Sequence, residues 1–260
     1  MITQIQMAGM VTQLLISLLF PIIILIFLIR KKSLSWKSLL IGVLIFIVFS
    51  QVLEKILHIA VIDPAGPSLK WTDSTVAFVA YGALAAGVFE EIGRYVGFKF
   101  LLKKNRSYND GLSFGLGHGG IEAILIGVIG GVTALIFANL INTGMFDQTI
   151  GAAMPADQLA LIKNQYLNTG FGIYVVGGLE RVPAILIHIA LSLVVLLAVR
   201  ESKFVYFLYA IGLHALMDVA PAMYQAGVLK SIWTTELIIA LFGVAALIFI
   251  FRAKKLFMND

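Results

Sequence analysis

Residues 7–32 read MAGMVTQLLISLLFPIIILIFLIRKK. From Met7 to Ile29 there is no charged residue, and only Thr12, Gln13 and Ser17 are polar. A helix rises 1.5 Å per residue and a bilayer core is about 30 Å thick, so a run of this length crosses it once. Arg30-Lys31-Lys32 then ends the run as a stop would. No basic segment precedes it and no small-residue cleavage site follows, so it reads as a retained span rather than a leader that is removed.

The same reading extends along the chain. Six further stretches are long and apolar enough, at Leu39–Ile62, Thr75–Leu102, Gly111–Thr143, Ile173–Val199, Phe204–Met223 and Trp233–Phe251. Composition agrees: of 260 residues 60% are hydrophobic and 13% charged, and the mean hydropathy is +0.98. Soluble domains are about 45–50% apolar and about 25% charged, so a soluble globular fold could not bury this surface. There is no cysteine, which excludes a disulfide scaffold. The expected fold is all-α: one integral membrane domain over residues 1–260, a polytopic bundle of seven transmembrane helices.

The net charge of +5 points to lipid rather than nucleic acid because of where the charges sit. Arg30, Lys31, Lys32, Lys37, Lys103, Lys104, Arg106, Arg200, Lys203, Arg252, Lys254 and Lys255 flank the spans on one side; the other side has Lys70, Lys163 and Lys230. Short loops rich in Lys and Arg stay in the cytoplasm. Twelve against three, in strict alternation, predicts the N-terminus outside and the C-terminus inside. Gly144–Gly172 is then a long outer loop, in which Pro155 opens an amphipathic surface helix. Eight glycines between Gly111 and Gly131 predict that the fourth span is packed closely by its neighbours.

Spans three to six contain ionisable residues that a lipid-facing helix would not carry: Glu90, Glu91, Arg94, His118, Glu122, Glu180, Arg181, His188, His214 and Asp218. Each charged group near mid-bilayer costs about 2.5–3.5 kcal/mol on insertion scales. Seven of them, uncompensated, would cost about 20 kcal/mol, more than the roughly 5–15 kcal/mol that stabilises a typical fold. They are therefore expected to face one another in a polar core carried by residues 75–223. The pairs Glu90/Arg94, His118/Glu122 and His214/Asp218 are each four apart and share a helix face. Most of the ten fall at one level, on the basic side of the midplane; Glu180 and Arg181 fall nearer the outer face. Glu54 and Lys55 in span two are expected to neutralise each other, and His58 to lie outside the core. With the histidines neutral, five carboxylates against two arginines leave an excess of three negative charges. Protonated carboxyls, cationic histidines or a divalent metal would each relieve it.

Three motifs now read together: Glu90-Glu91-Ile92-Gly93-Arg94, Phe114-Gly115-Leu116-Gly117-His118 and His214-Ala215-Leu216-Met217-Asp218. The set resembles the CPBP (CAAX protease and bacteriocin-processing, or Abi) superfamily of intramembrane proteases. With His118-x-x-x-Glu122 and Glu180-Arg181…His188 added, it is most similar to the YhfC branch. Arg94 departs from the superfamily pattern, standing three rather than four residues after the second glutamate.

The resemblance implies an intramembrane endopeptidase of a bacterial cell membrane, acting on a peptide or membrane-protein substrate. By it, Glu90 or Glu91 activates water and His118 orients the water or protonates the leaving amine. His214 and Asp218 steady the oxyanion, and Arg94 partners the glutamate. Glu122, His188, Glu180 and Arg181 would support the site. Both a metal-free glutamate mechanism and a zinc site fit these residues; for zinc, His118, His188 and His214 with one carboxylate are the candidate ligands. A proton- or cation-coupled transporter is the alternative, because buried Asp, Glu and His also mark proton relays. A third reading is a non-catalytic, peptide-binding immunity-type membrane protein.

Overall fold

The computed structural model describes residues 1–258. It is helical throughout, with no strand among the described residues. Among the described residues seven helices are long and apolar enough to cross a membrane: α1 (Gln4–Arg30), α2 (Trp36–Val61), α3 (Thr75–Leu101), α4 (Tyr108–Asn142), α6 (Phe171–Arg200), α7 (Phe204–Gln225) and α8 (Ile232–Phe257). The shorter α5 (Ala156–Asn168) follows Pro155, as the amphipathic pattern predicts. Large apolar side chains such as Ile59, Leu241 and Phe251 are turned outward. That is the inside-out pattern of a chain whose solvent is lipid, where helices also satisfy their own backbone hydrogen bonds.

The contacts divide the chain into two compact units. The first holds Met1–Ile23 and Glu122–Val182. Its core is Ile2, Met10, Ala134, Ala138, Ile141, Phe146 and Tyr174, with Leu159, Ile162 and Tyr166 of α5 packed against it. Asn142 clamps the chain start: Ile2 N–H donates to Asn142 Oδ1 at 2.7 Å, and Asn142 Nδ2 donates to the Ile2 carbonyl at 2.9 Å.

The second unit runs from Ile24 to Ile121 and resumes at Pro183. Here α7 lies along α3, where Gly87 of α3 meets the backbone of α7 at Ile211 and Ala215. The longest continuously buried stretch of α4 is Ser113–Gly120; beyond it buried and exposed residues alternate. Two glycines in this stretch are demanded by close approach: a Cβ on Gly117 would overlap the Leu39 carbonyl, and one on Gly115 would overlap the Ile189 backbone. The start of α4 is fixed by polar contacts. Ser107 and Asp110 cap it reciprocally, with Ser107 Oγ donating to Asp110 Oδ2 at 2.6 Å and Asp110 N–H donating back at 3.3 Å. Asp110 Oδ1 also accepts from Ser38 Oγ of α2 at 2.7 Å.

Three spans carry a π-helical turn, at Phe46–Glu54, Gly97–Leu101 and Ile124–Ile129. Helix α6 is interrupted at Glu180. Pro183 has no N–H to give the Leu179 carbonyl, so the helical ladder loses a rung there.

Candidate active site

Four helices bring residues of the second unit to the site: α3 brings Glu90, Glu91 and Arg94, α4 His118, α6 His188, and α7 His214 and Asp218. Glu90, Glu91, Arg94, His118, His188 and His214 are all buried. Asp218 has 23% of its side chain exposed while none of the other six exceeds 7%, so the group opens on the Asp218 side.

Glu90 is the hub. Its Oε2 lies 2.9 Å from His118 Nε2, 3.2 Å from Arg94 Nη2, 3.7 Å from His188 Nδ1 and 3.9 Å from His214 Nε2. Arg94 reaches both glutamates, with Nη1 donating to Glu91 Oε1 and Nη2 donating to Glu90. Nη2 also lies 2.6 Å from His188 Nδ1. A guanidinium only donates, so this nitrogen of His188 accepts. On the far side, His214 Nδ1 donates to Glu91 Oε1 at 2.7 Å, which leaves its Nε2 3.5 Å from Asp218 Oδ2. The pattern is a carboxylate orienting an imidazole whose other nitrogen faces the opening, the arrangement that general acid–base catalysis requires. Phe46 packs edge-on to the His118 ring at 5.0 Å, and Phe114 stacks on it at 6.3 Å, walling off that end.

One group of side chains among the described residues has a geometry suited to a metal ion: Glu90, His118 and His188, whose donor atoms lie within 4.8 Å of one another. Zinc bonds of about 2.0–2.1 Å place tetrahedral ligands about 3.3 Å apart. The distances of 2.9 Å and 3.7 Å from Glu90 Oε2 to the two imidazoles straddle that spacing. The charges fit too. With neutral histidines, Glu90, Glu91 and Asp218 against Arg94 leave two excess negative charges, which a divalent ion cancels. His214, whose Nδ1 donates to Glu91, is not a member of this group.

Glu122, Glu180 and Arg181 belong to the first unit and form an ion-paired cluster of their own. Arg181 Nη1 donates to Glu122 Oε1 at 3.0 Å, and Nη2 donates to Glu180. Glu54 does not pair with Lys55. Its Oε1 lies 3.1 Å from His58 Nε2, one turn along α2, and His58 Nδ1 lies 2.8 Å from the Tyr81 hydroxyl of α3. The i,i+4 spacing of Glu54 and His58 is the sequence signal for this contact; nothing local points to Tyr81.

The family described as YhfC intramembrane metalloprotease matches residues 16–239, most of the chain. The chain belongs to this family. A relative from Bacillus subtilis (strain 168), described as the uncharacterized membrane protein YhfC, is 37% identical over 242 residues, which cover 93% of this chain and 94% of the relative. No solved structure matches. Like that YhfC relative, the chain is a bacterial multi-pass integral membrane protein. The donor set Glu90, His118 and His188 is one that could hold a metal, in keeping with the word metalloprotease in the family description.

Proposed function

We propose that this chain is a metal-dependent intramembrane endopeptidase, most simply a zinc enzyme, that hydrolyses a peptide bond of a peptide or membrane-protein substrate. The observation that carries the reading is the convergence of His118, His188 and His214 within 4 Å of one carboxylate oxygen, Glu90 Oε2, inside the spans. Burying these groups is expensive, and the family description gives a chemistry that uses them.

Glu90, His118 and His188 would hold the metal, which as a Lewis acid polarises a carbonyl and makes water nucleophilic at neutral pH. The rest follows from the chain itself. Glu90 is the carboxylate at the centre of the group, with Oε2 within 4 Å of all three imidazoles. Glu91 holds His214 by Nδ1, so that Nε2 points towards Asp218 and the open side. His214 Nε2 would take the proton of the attacking water beside Asp218 Oδ2, stabilise charge developing on the carbonyl oxygen, and pass that proton to the leaving amine. Phe46 and Phe114 keep water off the closed end, which strengthens each of these interactions. The bias of Lys and Arg supports a site nearer the cytoplasmic leaflet, from which a scissile bond would enter.

The test is cleavage of a peptide library by the purified chain in detergent. Wild type should cleave, and Glu90→Gln and His118→Ala should each lose at least about a hundredfold while remaining folded. Cleavage that persists in both variants would remove the reading.

A further inference from the structure

Arg94 is bonded to two of the three residues of the candidate metal group. Its Nη2 donates to Glu90 Oε2 at 3.2 Å and to His188 Nδ1 at 2.6 Å. An arginine stays protonated at any pH the protein meets, so its contact cannot be relieved by loss of a proton. A divalent ion held by the same two residues would meet a fixed positive charge bonded to them in a site sheltered from water, where like charges repel strongly. The two cations therefore exclude each other.

The structure also holds a place for the arginine to go. Arg94 Nη1 already donates to Glu91 Oε1. Glu91 Oε2 and Arg94 Nε, both buried, have no hydrogen-bond partner among the described residues. A guanidinium and a carboxylate join most strongly through two parallel hydrogen bonds, and this pair uses one oxygen of the carboxylate. Turning Arg94 off His188 and Glu90 and fully onto Glu91 would satisfy the second oxygen. The turn would also free Glu90 and His188 without leaving either the arginine or Glu91 unpaired.

Resting on the metal reading above, we infer that Arg94 is a positioning residue with two placements, one shared with Glu90 and His188 and one wholly on Glu91. Metal and arginine compete for the first placement. Glu91 is then neither a metal ligand nor a base, but the acceptor that makes the exchange affordable. Arg94 thereby sets how tightly the site takes its metal and offsets the repulsion between Glu90 and Glu91 when the site is unloaded.

The experiment is a zinc-affinity titration against a chromogenic chelator, using the full chain in detergent. Wild type, Arg94→Lys, Arg94→Gln and His118→Ala are compared. Wild type should bind one zinc ion, and His118→Ala should lose it. Arg94→Gln should bind about tenfold tighter or more, because a charge-assisted hydrogen bond of about 1.5–3 kcal/mol no longer competes. Arg94→Lys can still pair with Glu91 but cannot span Glu90 and His188, and should also bind more tightly than wild type. If wild-type zinc is lost in His118→Ala but neither Arg94 variant binds more tightly, the competition is wrong and the metal site stands. If zinc binds none of the four proteins, the metal site falls and takes the competition with it. Should the Arg94 variants fail to fold, the zinc-loaded structure of wild type decides. Zinc on Glu90, His118 and His188 with Arg94 moved onto Glu91 supports the exchange. Zinc there with Arg94 Nη2 still on His188, or zinc elsewhere, overturns it.

Discussion

His188 Nδ1 accepts a hydrogen bond from Arg94 Nη2 at 2.6 Å, across two helices and ninety-four positions of chain. Because the donor is a guanidinium, the direction of this bond is settled by chemistry, and the ring proton of a neutral His188 must sit on Nε2. Nitrogen-15 NMR of selectively labelled protein, before any metal is added, should show His188 as the Nε2–H tautomer. An Nδ1–H signal would mean that the contact is not the one described.

The two adjacent glutamates should separate by experiment. Glu91 is wholly buried and serves both Arg94 and His214, so Glu91→Gln weakens both partnerships at once. Removing one member of a buried pair costs about 3–5 kcal/mol, and a marked fall in thermal unfolding temperature is expected. Glu90 keeps slight exposure and faces the histidines. Glu90→Gln should abolish cleavage with a smaller loss of stability. Scanning calorimetry beside a cleavage assay distinguishes the two.

Chelation should act through the site and not through the fold at large. Dialysis against a strong chelator is expected to remove peptide cleavage, and added zinc to restore it. His188→Ala, which deletes one donor, should show no such restoration. Elemental analysis before and after dialysis checks that the metal itself has moved.

Gly115 and Gly117 let α4 approach α6 and α2 closely enough to bring His118 to Glu90. Gly117→Ala would push a methyl group into the Leu39 carbonyl, and overpacking of this kind costs about 1–3 kcal/mol. The backbone shift should displace His118 by enough to reduce kcat more than KM. A variant with unchanged turnover would show that α4 has slack.

The Glu54, His58 and Tyr81 contacts give a control. Tyr81 is nine residues before Glu90 on α3, about 13.5 Å along the axis. Tyr81→Phe removes one hydrogen bond and should cost about 0.5–1.5 kcal/mol of stability with cleavage unaffected. Loss of cleavage would assign this group a role in the chemistry.

The seven spans and the helical class are readable along the chain, because both depend on a local quantity: enough consecutive apolar residues to cross about 30 Å of hydrocarbon. The contacts within one helix were equally legible. Glu90 with Arg94 and His214 with Asp218 lie on adjacent turns, and the structure places them 3.2 Å and 3.5 Å apart. The same rule applied to His118 and Glu122 gives a shared face but not a shared partner: His118 turns to Glu90, and Glu122 pairs with Arg181 in the other unit. Helical periodicity states which side chains point the same way, and says nothing of what another helix brings to meet them. Only the packing of α3, α4, α6 and α7 determined that Arg94 bonds His188, that Glu91 rather than Glu90 holds His214, and that the metal-suited donors are one glutamate and two histidines. Those contacts depend on azimuth and spacing between helices, set by glycines that a Cβ would push apart, and no run of neighbouring residues encodes them.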